Sequence, residues 1–243
     1  MILVYHSIKP LRSTRHQGLF EAYARLVPII VSDPLNAPRT SLEGEPLPGG
    51  RNLPPIRERG LYQARMRWMF PAGRFAAVSL MQRWLGMAEM LRAVRRRAEG
   101  RPIVLVSQQP TLLPTFRGLP ADLSVYEVRD DYVALASTAR ARRATLRGHR
   151  RMLGSSDVVV AISDRLVEDI KPVRPDVQLT FVGVEREFFL PPDAARASPG
   201  LRGIPGPRIG TVGTLNDRTD WELLEFLALA RPAWNLVVIG PLY

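Results

Sequence analysis

The sequence predicts an α/β protein built on a doubly wound parallel sheet with helices on both faces. Short runs rich in valine, isoleucine and leucine alternate with amphipathic segments along most of the chain. These runs are continuously apolar, which is typical of parallel strands that helices bury on both sides. The chain also ends in a stretch, Arg208 to Tyr243, that has the pattern of one complete β-α-β unit.

Composition limits the classes of protein to consider. The chain has 243 residues, of which 46% are hydrophobic, enough for one large or two modest domains. It has no cysteine, which excludes disulfides and thiolate metal sites and is compatible with the cytoplasm. The net charge of +11 favours anionic partners such as phosphates, nucleic acid or anionic lipid.

The first part of the chain predicts two strands, two helices and a long loop. The strands are Ile2 to Tyr5 and Pro28 to Val31, with a helix over Gln17 to Leu26 between them. Pro34 to Pro55 is rich in proline and glycine and is predicted to be a loop. A second helix follows, because apolar residues recur at steps of three and four and predict one core-facing side: Ala77, Met81, Trp84, Ala88 and Leu91.

The middle of the chain continues the alternation of strands and helices. Predicted strands are Ile103 to Val106, Leu123 to Val128, Asp157 to Ile162 and Val177 to Val182. The predicted helices are Ala134 to Leu153, which is strongly basic, and a shorter one that Ser163 caps and that ends near Ile170.

Arginines are concentrated in two blocks. Arg51 to Arg101 contains twelve arginines and three acids, and Arg140 to Arg151 contains six arginines and no acid. The stretch from Arg57 to Arg97 also carries aromatic residues, so it is a candidate for contact with an anionic membrane. The alternative is an ordinary solvated face over a packed helix.

The terminal unit predicts a second domain. A strand over Ile209 to Val212, with Gly210 and Gly213 near its end, precedes a helix that Asp220 caps, and a second strand spans Asn235 to Ile239. We therefore predict an N-terminal Rossmann-like domain over residues 1–190, a linker over 191–207, and the start of a C-terminal domain over 208–243. One β-α-β unit cannot cover both faces of a parallel sheet, so we expect this second domain to be incomplete.

Three segments together resemble the GT-B glycosyltransferases, in particular the retaining, nucleotide-sugar-dependent branch (group 1, family 4-like). They are VYEVRDDYVAL at 125–135, SSDVVVAISDRLVEDI at 155–170 with GVEREFF at 183–189, and IGTVGTL through VVIGP in the terminal unit. The matches span roughly residues 124–243. Two positions depart from the pattern: Val182 stands where the family usually has Asn, and His149 where it often has Glu.

The resemblance implies transfer of a sugar from a nucleotide-diphosphate sugar to a glycan or lipid-linked acceptor, between two Rossmann-like domains. Asp130 and Asp131 follow a predicted strand and are the candidate catalytic carboxylates. The alternative for Asp131 is an N-cap of the basic helix. Much of the family's donor domain has no counterpart in this chain, so the resemblance implies that the chain alone is inactive.

Further candidates surround the expected substrates. A loop of small residues lets backbone N–H groups approach a diphosphate, so Gly210, Gly213, Thr214 and Asp217 are the candidate donor-binding residues. The glycines have the alternative role of permitting a tight turn. The acceptor-side candidates are His6, Arg15 and Gln17; the alternatives are a structural role for His6 and a solvated helix start for the other two. No metal site and no cofactor beyond the donor substrate are predicted, because no Asp-x-Asp pair is present.

Two other functions stay open at this stage. One is a non-catalytic basic module that binds an anionic membrane or another polyanion, and the other is a sugar-nucleotide epimerase of the same fold. Nucleic acid is not an expected partner, since the sequence has no recognition motif for it. The predicted location is the cytoplasm, with peripheral binding to the inner face of the membrane as an option.

Overall fold

The computed structural model describes residues 1–6, 14–32, 60–64, 76–110, 115–183, 199–216 and 219–241. Only the backbone is described at 14–18, 61–64, 76–77, 79 and 199. The chain divides into two compact units, Met1–Val184 and Glu185–Tyr243. The predicted loop from Pro34 to Pro55 lies outside the described residues.

Strands and helices alternate through the described part of the first unit. Its strands are β1 (Ile2–His6), β2 (Ile29–Ser32), β3 (Leu61–Ala64), β4 (Ile103–Ser107), β5 (Leu123–Val128), β6 (Val158–Ala161) and β7 (Gln178–Leu179). Its helices are α1 (Thr14–Leu26), α2 (Ala76–Arg97), α3 (Ala139–Ser155) and α4 (Asp164–Ile170). Within the described ranges, no helix is long and apolar enough to cross a membrane.

The seven strands form one sheet in the order β3-β2-β1-β4-β5-β6-β7. Every neighbouring pair is parallel. The strand order reverses between β1 and β4, because the chain builds outward from β1 in one direction and then from β4 in the other. The predicted α/β class with a parallel, Rossmann-like sheet is confirmed.

A hydrophobic core lies on each face of the sheet. Side chains alternate between the faces along a strand, so Ile2 and Val4 pack with α2, whereas Leu3 and Tyr5 pack with α1. Helix α2 supplies the larger core with apolar side chains such as Met87 and Leu91. Each fully buried side chain of this size contributes about 1.5–3 kcal/mol of transfer free energy. These two cores account for the continuously apolar strands.

Four local predictions for the first unit need correction. Strand β3 was not predicted, and β7 covers only Gln178–Leu179 rather than Val177 to Val182. Met81 is 56% exposed although its spacing predicts a core position, since its turn of α2 precedes the well-buried part of the helix. Helix α3 begins at Ala139, not Ala134, because the Thr138 side chain accepts a hydrogen bond from the Ala141 N–H at 3.1 Å and caps it there. The Ser163 cap of α4 is confirmed, with its hydroxyl accepting from the Leu166 N–H.

Two aspartates satisfy backbone groups at the amino edge of the sheet. Asp122 accepts hydrogen bonds from the Ile103 N–H and pairs with Arg95, both at 2.6 Å. Asp157 accepts from the backbone N–H of Ser124 at 2.8 Å and from its hydroxyl at 2.6 Å. These hydrogen bonds are the main cause of the lowered pKa of each carboxyl group.

Acid titration should reveal the contribution of Asp122 and Asp157 to the stability of the fold. Their folded pKa values lie below the ordinary value of 3.8, so their stabilisation is present above that pH and is lost as pH falls through the folded values. Urea unfolding between about pH 5 and pH 2 should show a shallower loss of stability in Asp122→Asn and Asp157→Asn than in the wild type. Near neutral pH each variant should be less stable by a few tenths to about 1 kcal/mol. An unchanged acid limb in both variants would contradict this assignment.

The second unit contains a parallel β-α-β arrangement. Strand β8 (Arg208–Val212) pairs with β9 (Asn235–Ile239), and α6 (Trp221–Ala230) connects them. A short helix, α5 (Pro199–Arg202), precedes this arrangement and falls within the predicted linker. Asp220 caps α6, as predicted, by accepting a hydrogen bond from the Leu223 N–H at 2.9 Å.

Two glycines approach each other closely at the carboxyl ends of β8 and β9. Gly240 has a φ of 153°, and a Cβ placed there would lie 1.6 Å from the carbonyl oxygen of Gly213. The Gly213 N–H donates to the Ile239 carbonyl at 3.0 Å, which keeps the two segments together. Only glycine fits at position 240 without moving this backbone.

Replacing this glycine should open the end of the two-stranded sheet. We expect Gly240→Ala to destabilise the pairing of β8 with β9 by about 2 kcal/mol or more, through steric overlap with Gly213. Hydrogen exchange of the β8 and β9 amides measures the effect. Gly210→Ala is the matched control, because its Cβ would find its nearest atom, the Val237 carbonyl oxygen, at 3.9 Å. Equal protection in both variants would refute the close contact.

Candidate functional site

The reversal of strand order places polar residues at the carboxyl edge of the sheet. His6 ends β1, Ser32 ends β2 and Ser107 ends β4, and the register pairs His6 with both serines. Open parallel sheets bind ligands outside the carboxyl ends of their strands, at the point where the order reverses. This edge is therefore the candidate functional site of the first unit.

His6 lies at the centre of this row and is fully buried. Its Nδ1 forms a 2.6 Å hydrogen bond with the Ser32 hydroxyl, in which the donor depends on the imidazole tautomer. Burial lowers the pKa of His6 to about 3, with a further contribution from the positive charge of Arg83, so the ring is neutral at pH 7. Within the described residues, His6 Nε2 and the Ser107 hydroxyl have no hydrogen-bond partner. Both groups therefore retain hydrogen-bonding capacity at the strand ends.

A second polar cluster occupies the opposite face of the same edge. The Tyr5 hydroxyl donates to Glu127, and Gln108 Nε2 donates to the Tyr5 hydroxyl oxygen at 2.5 Å and to Glu127 Oε2 at 3.3 Å. Arg129 Nε lies 3.9 Å from Glu127 Oε1. Burial, then the charge of Glu127, raises the pKa of Tyr5 well above its ordinary value, so Tyr5 remains a donor.

The sequence prediction of site residues did not include this cluster. A usable signal exists, since Glu127 is the one charged residue in the strand Leu123–Val128, and a charge at such a position requires partners. Its partners cannot be identified from the sequence because Tyr5 and Glu127 are 122 residues apart.

The two candidate catalytic aspartates lie in different environments. Asp131 Oδ1 accepts hydrogen bonds from the N–H groups of Val133 at 3.1 Å and Ala134 at 2.9 Å, so it caps a turn. This corrects the alternative that it caps the long basic helix. Asp130 is exposed directly after β5, and its carboxylate makes no hydrogen bond within the described part of the chain. Asp130 is thus the carboxylate that is free to meet a substrate.

A cavity of about 370 Å³ lies beyond the carboxyl ends of β4 and β5. Its lining is uncharged: Gln109, Pro110, Tyr132, Leu135, Ala136, Ser137, Ala141 and Thr145. The Tyr132 hydroxyl is buried without a hydrogen-bond partner among the described residues. Burial, then the charge of Asp130, raises the pKa of Tyr132, so the hydroxyl stays protonated. Such a lining suits a neutral ligand with hydroxyl groups.

Of the donor-binding candidates in the second unit, Gly213 and Thr214 lie in the described part of the loop after β8. Gly210 lies inside β8, paired with Val237, and not in the loop that follows. The Gly213 N–H is already used by Ile239, whereas Thr214 has no hydrogen bond from its N–H within the described residues. Asp217 lies outside the described residues. The Asp220 carboxylate occupies the start of α6, where it competes with any bound anion.

The remaining acceptor-side candidates are described by their backbone alone. Arg15 and Gln17 lie in the first turns of α1. Over the described ranges, no group of three or more His, Cys, Asp or Glu residues is arranged to hold a metal ion. The chain matches no protein-family model and no curated protein.

The buried histidine should make stability depend on pH. Because the folded pKa of about 3 lies below the ordinary value of 6.5, the unfolded chain binds the proton first, and stability falls as pH drops below about 6.5. The expected slope reaches about 1.4 kcal/mol per pH unit. Urea unfolding between about pH 6.5 and pH 4.5 measures it, a range in which few carboxylates titrate.

Two variants distinguish the effect of protonating His6 from the effect of its hydrogen bond with Ser32. His6→Gln should make the slope shallower and leave the part that comes from His149, whose pKa burial also lowers. Ser32→Ala should keep the full slope while lowering stability at every pH, because it removes the partner of Nδ1 and the hydroxyl that donates to the Tyr5 carbonyl at 3.5 Å. A slope as steep in His6→Gln as in the wild type would show that His6 does not cause the dependence.

Proposed function

We propose that this chain belongs to a glycosyltransferase of the GT-B type, which transfers a sugar from a nucleotide-diphosphate sugar to a hydroxyl group of a glycan or lipid-linked acceptor. The observation that carries the proposal is the exposed Asp130, two residues beyond the end of β5, whose charge acts on Tyr132 in the lining of the uncharged cavity. The motif resemblance around residues 125–135 supports the same assignment.

The proposed reaction requires three events at the sugar. The bond between the anomeric carbon and the diphosphate oxygen breaks, a bond to the acceptor oxygen forms, and the acceptor hydroxyl loses its proton. In this proposal the acceptor occupies the cavity, and the Asp130 carboxylate accepts a hydrogen bond from the reacting hydroxyl, which orients it. The cavity volume of about 370 Å³ is sufficient for a sugar ring and lies within the usual range for ligand sites.

On the donor side, the proposal assigns the diphosphate to the loop after β8. Thr214 is the best candidate there, because its backbone N–H is not used by another described residue. Gly213 and Gly240 would act indirectly, by allowing the close backbone approach that shapes this loop.

The proposal is tested by measuring release of nucleoside diphosphate from a panel of nucleotide-diphosphate sugars. The protein is incubated with each donor, with and without oligosaccharide and polyprenyl-linked acceptors. Acceptor-dependent release supports a transferase, whereas interconversion of the donor sugar without release supports an epimerase. Absence of both reactions and of donor binding across the panel contradicts the proposal.

A matched pair of variants then tests the role of Asp130. Asp130→Asn should reduce turnover about 100-fold or more, because an amide cannot accept the proton or orient the hydroxyl as a carboxylate does. Asp131→Asn keeps the Oδ1 acceptor for Val133 and Ala134 and should retain most activity. Equal turnover in Asp130→Asn and wild type would remove Asp130 from the reaction.

A further inference from the structure

The outer face of α3 is an uninterrupted positively charged surface. The helix carries six arginines and no acidic residue, and all six are exposed: Arg140, Arg142, Arg143, Arg147, Arg150 and Arg151. None of them makes a hydrogen bond or an ion pair within the described part of the chain. Five of them, all except Arg142, lie within an arc of about 100° around the helix axis. We call these five residues the arginine stripe.

The arginine stripe is held in a fixed orientation. It lies opposite Thr145, Met152 and Leu153, the residues that α3 buries. The far end of the helix is anchored by Arg174, whose guanidinium donates to the carbonyls of Leu153 at 2.5 Å and Ser156 at 2.8 Å. The charges are therefore presented in a row on a rigid element.

A cavity of about 470 Å³ lies at the C-terminal end of the stripe. Three arginines and two hydroxyl side chains line it, together with one glycine: Arg117, Arg150, Arg151, Thr115, Ser155 and Gly154. The C-terminus of α3 contributes a partial charge of roughly −0.5 there, which three full positive charges outweigh. The cavity is thus suited to an anionic group such as a phosphate.

We propose that the arginine stripe docks the chain on an anionic lipid surface, with the phosphate of one lipid headgroup held in this cavity. A straight row of arginines on one helix can contact a planar charged surface along its whole length. Helix α3 contains no Phe, Tyr or Trp for stacking on bases and no Asn or Gln for reading base edges, which disfavours nucleic acid. No apolar residue belongs to the stripe, so attachment is electrostatic.

The contacts of the α2 arginines disfavour α2 as the docking element. Arg95 is paired with Asp122 at 2.6 Å, and Arg97 donates to the Ala93 carbonyl at 3.4 Å, so part of its positive charge is already used. Arg92 and Arg96 are exposed on α2 and provide a control surface. The proposal does not depend on the glycosyltransferase assignment, because it concerns membrane binding alone.

Vesicle flotation tests the docking surface. The chain should float with phosphatidylcholine vesicles that contain about one third phosphatidylglycerol and not with pure phosphatidylcholine. Raising the salt from about 0.1 M to about 1 M shortens the Debye length from ~10 to ~3 Å and should release the protein. The triple variant Arg140→Gln, Arg143→Gln and Arg147→Gln should bind about 100-fold more weakly, given the usual contribution of each arginine near an anionic surface.

A matched triple variant separates this surface from net charge. Arg92→Gln, Arg96→Gln and Lys171→Gln together remove the same charge from exposed positions elsewhere and should leave binding within about twofold of wild type. Circular dichroism confirms that each variant is folded. An equal loss of binding in the two triple variants would overturn the proposal, since net charge would then suffice.

The same flotation assay tests the cavity and the alternative partner, nucleic acid. Arg150→Gln with Arg151→Gln should weaken vesicle binding at least about tenfold, because two charges are lost at the headgroup site. Unchanged binding in that variant would remove the cavity from the proposal. A random DNA duplex that binds more tightly than the vesicles and displaces them would overturn the membrane assignment in favour of nucleic acid.

Discussion

The parallel pairing of β1 with both β2 and β4 is the constraint on which the rest of the first unit depends. It puts β1 at the centre of the sheet, buries it on both faces, and brings the ends of three strands to one edge. His6, Ser32 and Ser107 meet there because the register aligns them.

The two edges of the sheet differ in how their polar groups are satisfied. At the amino edge, Asp122 and Asp157 accept hydrogen bonds from strand N–H groups. At the carboxyl edge, several buried polar atoms lack partners within the described residues, among them His6 Nε2 and Gln108 Oε1. Leaving such an atom unpaired costs about 1–3 kcal/mol, so these atoms conflict with stability until a partner binds them. Sites that bind ligands commonly show such a conflict between local structure and stability.

Charged residues also differ in their surroundings between the carboxyl edge of the sheet and helix α3. The carboxyl edge holds a few buried ionisable groups, such as Glu127 with Arg129 at 3.9 Å, whose partners restrict them. The arginines of α3 are exposed, unpaired within the described residues, and on a rigid helix. Buried polar groups can position a substrate, whereas exposed charges of one sign act on a whole surface over about a Debye length. The proposed chemistry and the proposed membrane attachment thus rest on separate features of the chain.

Sequence patterns alone predict the strands β1, β2, β4 and β5, the parallel class of the sheet, the terminal β-α-β arrangement, and the caps Ser163 and Asp220. These features follow from periodicity and capping, which involve residues a few positions apart. The folded chain was needed to show which strand ends meet, that Glu127 lies beside Tyr5, that Asp131 caps a turn while Thr138 starts α3, and that Gly240 contacts Gly213. Most of these contacts join distant parts of the chain, so they depend on strand order and register, which no local pattern specifies.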